Sequence, residues 1–469
     1  MASIKFGTDG WRDVIAENFT FANARLVAQA IARYVVRCED ARKGVLIGYD
    51  HRFASDTVAA AVAEVIAATG TPVWLTDKPC PTPAISLLVR QRAAAGGLLI
   101  TASHNPYQWN GIKYKASYGS SALPSIVAQI ETDLAEVQKN AATPLPPRKD
   151  LIQPLEPRAP YLDTIEKLID WQRLRDAKLR FVSDPMHGSA AGLLSGLFAR
   201  NGVVCEEIRG SRDPRFGGAH PEPIPPHIAP LQKAVLAGKY DAGLCADGDG
   251  DRIGAVDRDG SFINPHQIFA LLVWHLAGTR NLPGDIAKTF SVTKLIDKLA
   301  TKFGRKLHEL PIGFKYVCEL MLAQNILIGG EESGGIGTNL YLPERDATVC
   351  ALFLAEMMAW HGKSLGDMLR ALHAEFGEYH YGRVDLDVTP SQKQKAIAHF
   401  SDAGLKALLD WPIARRENMD GVKVYLGEIG WVLVRASGTE NLLRVYCETS
   451  KQETTQRVLK AVTDLVHKF

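Results

Sequence analysis

Short apolar runs alternate with longer helical patterns through most of the chain. Val45-Leu46-Ile47-Gly48 reads as a buried strand. The Ala-rich stretch 56–69 after it reads as a helix capped by Ser55 or Asp56. Val73-Trp74-Leu75 predicts the next strand, residues 83–92 a helix, and Leu98-Leu99-Ile100-Thr101 a further strand. A β-α-β-α order implies a sheet with helices on both faces. Residues 143–160 hold six prolines and charges of both signs, which reads as a linker and places a domain boundary near Lys149. The pattern then restarts, with strands predicted at 179–182 and 242–245 and, between them, a Pro-rich stretch 213–230. That stretch is too long to be mere connection and reads as an ordered, functional loop. A third block begins near Ile253, with strands predicted at 287–292 and 326–328. The last block, from about Tyr379, alternates apolar and polar residues over 384–388. A helix over 391–409, strands at 422–425, 431–435 and 443–448, and a helix over 452–468 follow. The expected fold is α/β: three mixed α/β domains (1–148, 149–252 and 253–375) and a C-terminal α+β domain (376–469).

Composition narrows the function. The 469 residues carry 54 Lys plus Arg against 52 Asp plus Glu. So balanced a charge gives no reason to expect a nucleic-acid or membrane-surface partner. The seven Cys are scattered with no CxxC pair, which argues against a disulfide framework or structural zinc and fits a reducing cytoplasm. No apolar run reads as a signal peptide or a membrane span.

Four polar, Gly-rich clusters follow or adjoin predicted strands, where α/β sheets bind ligands. The first is Thr101-Ala102-Ser103-His104-Asn105-Pro106, with Lys113 close behind. A serine hydroxyl there is a weak nucleophile unless a base or a pre-installed group changes its role. Asp247-Gly248-Asp249-Gly250-Asp251-Arg252 places three carboxylates at i, i+2 and i+4. They converge only in a tight coil, which the glycines permit, and clustered negative charge calls for a hard cation such as Mg²⁺ or Ca²⁺. An EF-hand does not fit, since Arg252 stands where its Gly belongs and Arg258 where its Glu belongs. Gly329-Gly330-Glu331-Glu332-Ser333-Gly334-Gly335 offers carboxylates and a hydroxyl suited to sugar hydroxyls. Arg435-Ala436-Ser437-Gly438-Thr439 has the makings of a phosphate nest. Two smaller motifs accompany them: Phe6-Gly7-Thr8-Asp9-Gly10-Trp11-Arg12 and Pro311-Ile312-Gly313-Phe314-Lys315.

Together these motifs, spread over essentially the whole chain, resemble the α-D-phosphohexomutase family. The resemblance implies three α/β domains and an α+β domain around a central cleft. It implies that Ser103 carries a phosphoryl group and that Asp247, Asp249, Asp251 and a phosphoserine oxygen hold Mg²⁺. Lys113, Arg12 and Arg252 become active-site cations, with His104 beside the serine. Glu331 and Ser333 become readers of sugar hydroxyls, and Arg435, Ser437, Gly438 and Thr439 the phosphate grip. Gly313-Phe314-Lys315 resembles the Gly-aromatic-Lys of phosphoglucomutases, in which the Lys is a proposed base. Phosphomannomutase/phosphoglucomutases and phosphoglucosamine mutases usually have His after the Ser-Gly of the sugar loop; here it is Gly335. The expectation is therefore conversion of glucose 1-phosphate and glucose 6-phosphate through a hexose 1,6-bisphosphate. Mannose and glucosamine phosphates are the alternatives within the family, with monomer and dimer both open. A metal-dependent phosphatase would need water access and usually a second metal, for which no further His/Asp cluster stands out. A non-catalytic sugar-phosphate binder would not need Ser103 beside a metal site.

Overall fold

A computed structural model describes residues 4–7, 9–139, 145–437 and 441–469. The chain divides into two compact units: Met1–Ile286 with Gly313–Gly366, and Ala287–Ile312 with Asp367–Phe469.

The first unit opens with a six-stranded sheet of β1 (Trp11–Val14), β2 (Val45–Tyr49), β3 (Val73–Thr76), β4 (Gly96–Ile100), β5 (Trp109–Ala116) and β6 (Ile152–Leu155). The strand order is β1-β5-β4-β2-β3-β6. Strands β4, β2, β3 and β6 run parallel, and β5 is antiparallel to both β1 and β4. Its core joins Val45, Ile47, Leu98 and Ile100 to the apolar face of helix Phe21–Cys38. Two expectations fail here. Helix Ser55–Ala68 has no side-chain cap: Ala54 at its start is left-handed, and the Ser55 hydroxyl instead donates to Asp50 Oδ1. The Pro-rich stretch read as a linker contains β6, which tolerates Pro154 because it lies at the sheet edge.

The second sheet holds β7 (Arg180–Asp184), β8 (Val204–Glu207), β9 (Ala242–Ala246), β10 (Ile253–Asp257) and β11 (Phe262–Ile263), in the order β11-β10-β9-β7-β8. Strands β10 and β11, placed in the third block by their sequence, pair antiparallel behind β9. The turn between β9 and β10 is the Asp-Gly run itself. The first unit also contains the antiparallel pair Ile326–Gly330 and Ile336–Thr338, followed by helix Ala347–His361.

In the second unit, strands His380–Asp387, Leu442–Thr449, Gly430–Ala436, Val422–Tyr425 and Arg415–Glu417 form an antiparallel sheet in that order. Helices Pro390–Ser401 and Gln452–His467 cover its apolar face through Phe400, Val458 and Val462. The helix read over 391–409 ends at Ser401, and a short hairpin of Ala407–Leu408 with Trp411–Pro412 replaces its second half. Lys423, fully buried, ties this sheet to the segment 287–312. Its Nζ donates to the Phe290 carbonyl at 2.7 Å and lies 4.3 Å from the Trp431 ring centroid.

All seven Cys are free, and among the described residues no helix is long and apolar enough to cross a membrane. Phe198 anchors the second domain's packing: it stacks on Phe181 at 5.2 Å and meets Trp171 edge-on at 6.0 Å, with both Phe rings fully buried. Phe198→Ala should therefore cost about 3–5 kcal/mol. Urea denaturation checks this; a loss below about 1 kcal/mol would contradict it.

Candidate active site

Ser103 lies three residues past the end of β4, beyond the strand's carboxyl end. It is buried, and its backbone is left-handed at φ 52°. Such a φ is uncommon for a side chain larger than Gly and marks a position held by its surroundings. The holding groups are visible: Thr101 Oγ1 accepts the Ser103 N–H at 2.9 Å, and the Arg52 guanidinium donates to the Ser103 carbonyl at 2.6 Å. Arg52 also donates to the carbonyls of Asn105, Pro106 and Trp109, so one buried cation shapes the whole serine loop. Asp50 supports this arrangement by accepting from the Thr101 hydroxyl and the Arg52 N–H.

The Asp loop follows β9 directly. Asp247 Oδ1 accepts the N–H groups of Asp251 and Arg252 at 2.9 and 3.1 Å, which closes the tight coil the spacing required. Gly248 is obligatory by space: a Cβ there would lie 2.5 Å from the Ser103 carbonyl oxygen. The two loops therefore pack backbone to backbone, and the Ser103 hydroxyl donates to Asp247 Oδ2 at 2.8 Å. The Pro-rich loop buttresses them from below, with the Pro221 carbonyl accepting the Gly248 N–H at 3.1 Å.

Lys113, on β5, reaches the same place. Its Nζ lies 2.9 Å from Asp9 Oδ2, 2.7 Å from Asp249 Oδ2 and 2.9 Å from Asp251 Oδ2. Burial works against its charge, but Asp249, Asp251 and Asp9 outweigh burial and hold its pKa above the ordinary lysine value. Asp249 is correspondingly held low: burial would raise it, and Lys113 more than reverses that. Asp247 goes the other way, pushed well up by burial and then by the charges of Asp249 and Asp251.

Three carboxylates within 4.8 Å of one another form a group able to hold a cation. The fit has independent support. Asp249 Oδ1 and Asp251 Oδ1 are buried and have no hydrogen-bond partner, although their other oxygens are fully engaged. Buried carboxylate oxygens left bare are costly, and an oxygen-seeking divalent ion would satisfy them.

The remaining predicted residues are placed as follows. Arg12, on β1, donates to Asn105 Oδ1 of the serine loop at 2.9 Å. Arg252 leaves the Asp loop toward Glu222, with 3.8 Å between charged atoms. His104 is kept neutral: burial, then Arg252 and Arg12, lower its pKa well below the ordinary value. Glu331 is buried just past strand Ile326–Gly330, and burial pushes its carboxyl up to about 7. Ser333 is half-buried in the turn that follows. Gly313 starts helix Phe314–Ala323 at φ 132°, a conformation that side chains rarely adopt. Lys315, half-buried in the first turn of that helix, has its Nζ 5.1 Å from the Tyr316 ring centroid. Arg435 and Ser437 belong to the second unit, where Arg435 Nε donates to Asp420 Oδ1 at 2.8 Å. Gly438 and Thr439 lie outside the described residues.

Sequence reading missed Arg345, whose guanidinium contacts Asp9, Asp251 and Glu331, and gave Asp9 no role. It also missed Arg52 and Thr82, whose hydroxyl donates to Asp249 Oδ2 at 2.5 Å. A usable signal existed for Arg52: Asp50-His51-Arg52 directly follows a buried strand, as Ser103 and Asp247 do. For Arg345 the signal was a charged Glu-Arg-Asp run before a nearly all-apolar helix.

Four models of the phosphoglucomutase/phosphomannomutase family match the chain: alpha/beta/alpha domain I over 3–141, domain II over 159–260, domain III over 264–376 and the C-terminal domain over 390–465. A phosphoglucomutase/phosphomannomutase of Thermococcus kodakarensis is 28% identical over 97% of this chain and 96% of its own. A phosphoglucosamine mutase of Synechococcus sp. is 31% identical over 97% of this chain and 93% of its own. Among solved structures, a Thermus thermophilus protein provisionally assigned as a phosphomannomutase superposes with a TM-score of 0.86 at 32% identity, covering 99% of each chain. Aspergillus fumigatus N-acetylphosphoglucosamine mutase, solved with glucose 1,6-bisphosphate, shares the fold at 14% identity, with a TM-score of 0.55 over 98% of this chain and 95% of its own.

The bare carboxylate oxygens generate a prediction. Mg²⁺ at about 100 times its Kd should stabilise the protein by about 2.7 kcal/mol, seen as a rise in Tm. Asp249→Asn should abolish that rise. An equal Mg²⁺ shift in both proteins would remove the Asp loop as the metal site.

Proposed function

Because the chain belongs to the phosphoglucomutase/phosphomannomutase family of α-D-phosphohexomutases, we propose that it interconverts α-D-glucose 1-phosphate and glucose 6-phosphate through a phosphorylated Ser103. The observation that carries the reading is the seat of Ser103: a buried hydroxyl 2.8 Å from a carboxylate of a three-Asp group. The choice of glucose rests on the Gly313-Phe314-Lys315 and Glu331-Glu332-Ser333 motifs and on Gly335 in place of His. We also propose a four-domain division, with the expected boundaries near 148 and 252 moved past β6 and past β11, because those strands pair within the first and second sheets.

In this scheme phosphoserine 103 gives its phosphoryl group to a free sugar hydroxyl, which loses its proton, and the Ser103 oxygen departs with the bond electrons. The resulting hexose 1,6-bisphosphate turns over and returns its other phosphoryl group to Ser103. Asp247, Asp249 and Asp251 would hold Mg²⁺, which supplies positive charge against the transferring phosphoryl oxygens. The chain's own groups do the rest. Asp247, lifted in pKa, accepts from the Ser103 hydroxyl in the unphosphorylated enzyme. Lys113 stays charged inside its carboxylate cage and fixes Asp249 and Asp251 for metal binding. Arg12 secures the serine loop through Asn105, and Arg252 offers positive charge to an incoming anion. Arg52 keeps the Ser103 carbonyl, and with it the backbone of the serine loop, in place. Glu331 and Ser333 read sugar hydroxyls. Arg435, Ser437, Gly438 and Thr439 grip the phosphate that is not being transferred. Lys315 and His104 are the candidate proton carriers.

Ser103→Ala should fold normally and lose mutase turnover, and intact-protein mass spectrometry should find phosphate on wild type but not on the variant. Near wild-type turnover by Ser103→Ala would sink the phosphoserine assignment. Arg435→Ala should lower kcat/KM by roughly 30- to 1,000-fold, with Arg435→Lys recovering only part because it loses the bidentate fork. A change below about threefold would remove Arg435 from substrate binding.

A further inference from the structure

Asp249 is gripped by the first turn of helix Thr82–Gln91. Thr82 is fully buried and holds it at two points. The Thr82 N–H donates to the Asp249 carbonyl at 2.8 Å, and the Thr82 hydroxyl donates to Asp249 Oδ2 at 2.5 Å. The first N–H groups of a helix have no partner within it, so Asp249 takes a donor that the helix leaves free, and its charge lies at the positive end of the helix. Pro81 closes the approach: a Cβ on Gly250 would lie 2.8 Å from Pro81 Cβ. The Asp loop therefore sits on the helix start by backbone as well as by side chain.

The carboxylate oxygens of the loop divide into engaged and bare. Asp249 Oδ2 takes the Thr82 hydroxyl and Lys113, and its Oδ1 has no partner among the described residues. Asp251 Oδ2 takes Lys113 and Arg345, and its Oδ1 is bare in the same way. Asp247 Oδ1 takes two backbone N–H groups, which leaves Oδ2 beside the Ser103 hydroxyl. Each Asp thus has one oxygen committed to the protein and one to offer. Lys113 does not fix which is which, because its flexible stem serves three carboxylates at 2.7 to 2.9 Å. Thr82 is short, stiff at χ1 and set in a helix, so its hydroxyl specifies one oxygen of Asp249.

We propose that Thr82 is a positioning residue that keeps Asp249 a one-oxygen ligand and thereby makes the Asp loop favour Mg²⁺ over Ca²⁺. The inference rests on the Asp loop being the metal site, as proposed above. Mg²⁺ is small and demands near-octahedral geometry, which single, fixed carboxylate oxygens suit. Ca²⁺ is larger, takes more oxygens in looser geometry and gains from carboxylates that give both. With Thr82 in place, Asp249 has only Oδ1 to give. Without the hydroxyl, Asp249 can turn and present both oxygens, which costs Mg²⁺ a fixed ligand and suits the larger ion.

The test measures the Kd for Mg²⁺ and for Ca²⁺ by titration calorimetry of the full-length protein, with wild type and variants matched in phosphate content by intact-protein mass spectrometry. Thr82→Val keeps the shape of the side chain and removes the hydroxyl. It should weaken Mg²⁺ binding by about 10- to 100-fold, as loss of a partner behind a metal ligand does, and weaken Ca²⁺ binding by a factor at least about threefold smaller. Thr82→Ser keeps the hydroxyl and should bind Mg²⁺ within about threefold of wild type. Thr82→Ala gives the same comparison if Thr82→Val is poorly folded. A Mg²⁺ loss below about tenfold overturns the inference. So do losses that match for the two ions, which mark a residue that only holds the loop together, and so does Thr82→Ser binding Mg²⁺ as weakly as Thr82→Val. A wild type that binds neither ion instead overturns the Asp loop as the metal site, so the two failures are distinguishable.

Discussion

Lys113 brings a positive charge to a place with almost no water to solvate it, and three carboxylates close around it. A buried ammonium is tolerated only with such partners, and removing one side of such a cluster leaves a costly bare charge. The cluster draws Asp9 from the N-terminal motif, Lys113 from the first sheet and Asp249 and Asp251 from the second. These segments are far apart in sequence and must arrive together for any of them to be stable. The same contact that makes the first unit cohere thus also fixes the orientation of the Asp loop.

The excess of negative charge follows from this. Lys113, Lys115 and Arg345 face Asp9, Asp249, Asp251, Glu331 and Glu344, so carboxylates outnumber the cations in direct contact with them. The two buried oxygens that remain bare, on Asp249 and Asp251, both belong to the Asp loop. Those are the positions where a divalent ion would relieve the imbalance. A polar network of this kind is destabilising where it is half-satisfied, and a cation held by the Asp loop would complete it.

Backbone packing carries the geometry of the candidate site as much as the side chains do. Gly248 has no Cβ because the Ser103 carbonyl occupies that space, and Arg52 collects four carbonyls of the serine loop. Ser103 is held at a positive φ by these contacts and not by its own preference. Such stored strain is expected where a hydroxyl must meet a reacting group at one place only.

What the sequence determined by itself is local. Apolar runs of four or five residues became the central strands, because complete burial demands continuous apolarity. The Asp spacing required a tight coil, and the coil formed through Asp247 and the N–H groups of Asp251 and Arg252. The motifs following strands β4 and β9 could be read because polar residues directly beyond a buried strand have few other uses. Pairing was not legible: β6 looked like a linker because its proline suits an edge strand as well as a loop, and β10 looked like the start of a new block because nothing local ties it to β9. Arg345 and Asp9 were given no role for the same reason, although Asp9 lay in a quoted motif and Arg345 in a charged run before an apolar helix. A lone Arg or Asp has the chemistry of any surface charge until the fold buries it, and only tertiary structure decides which charges are buried and against what.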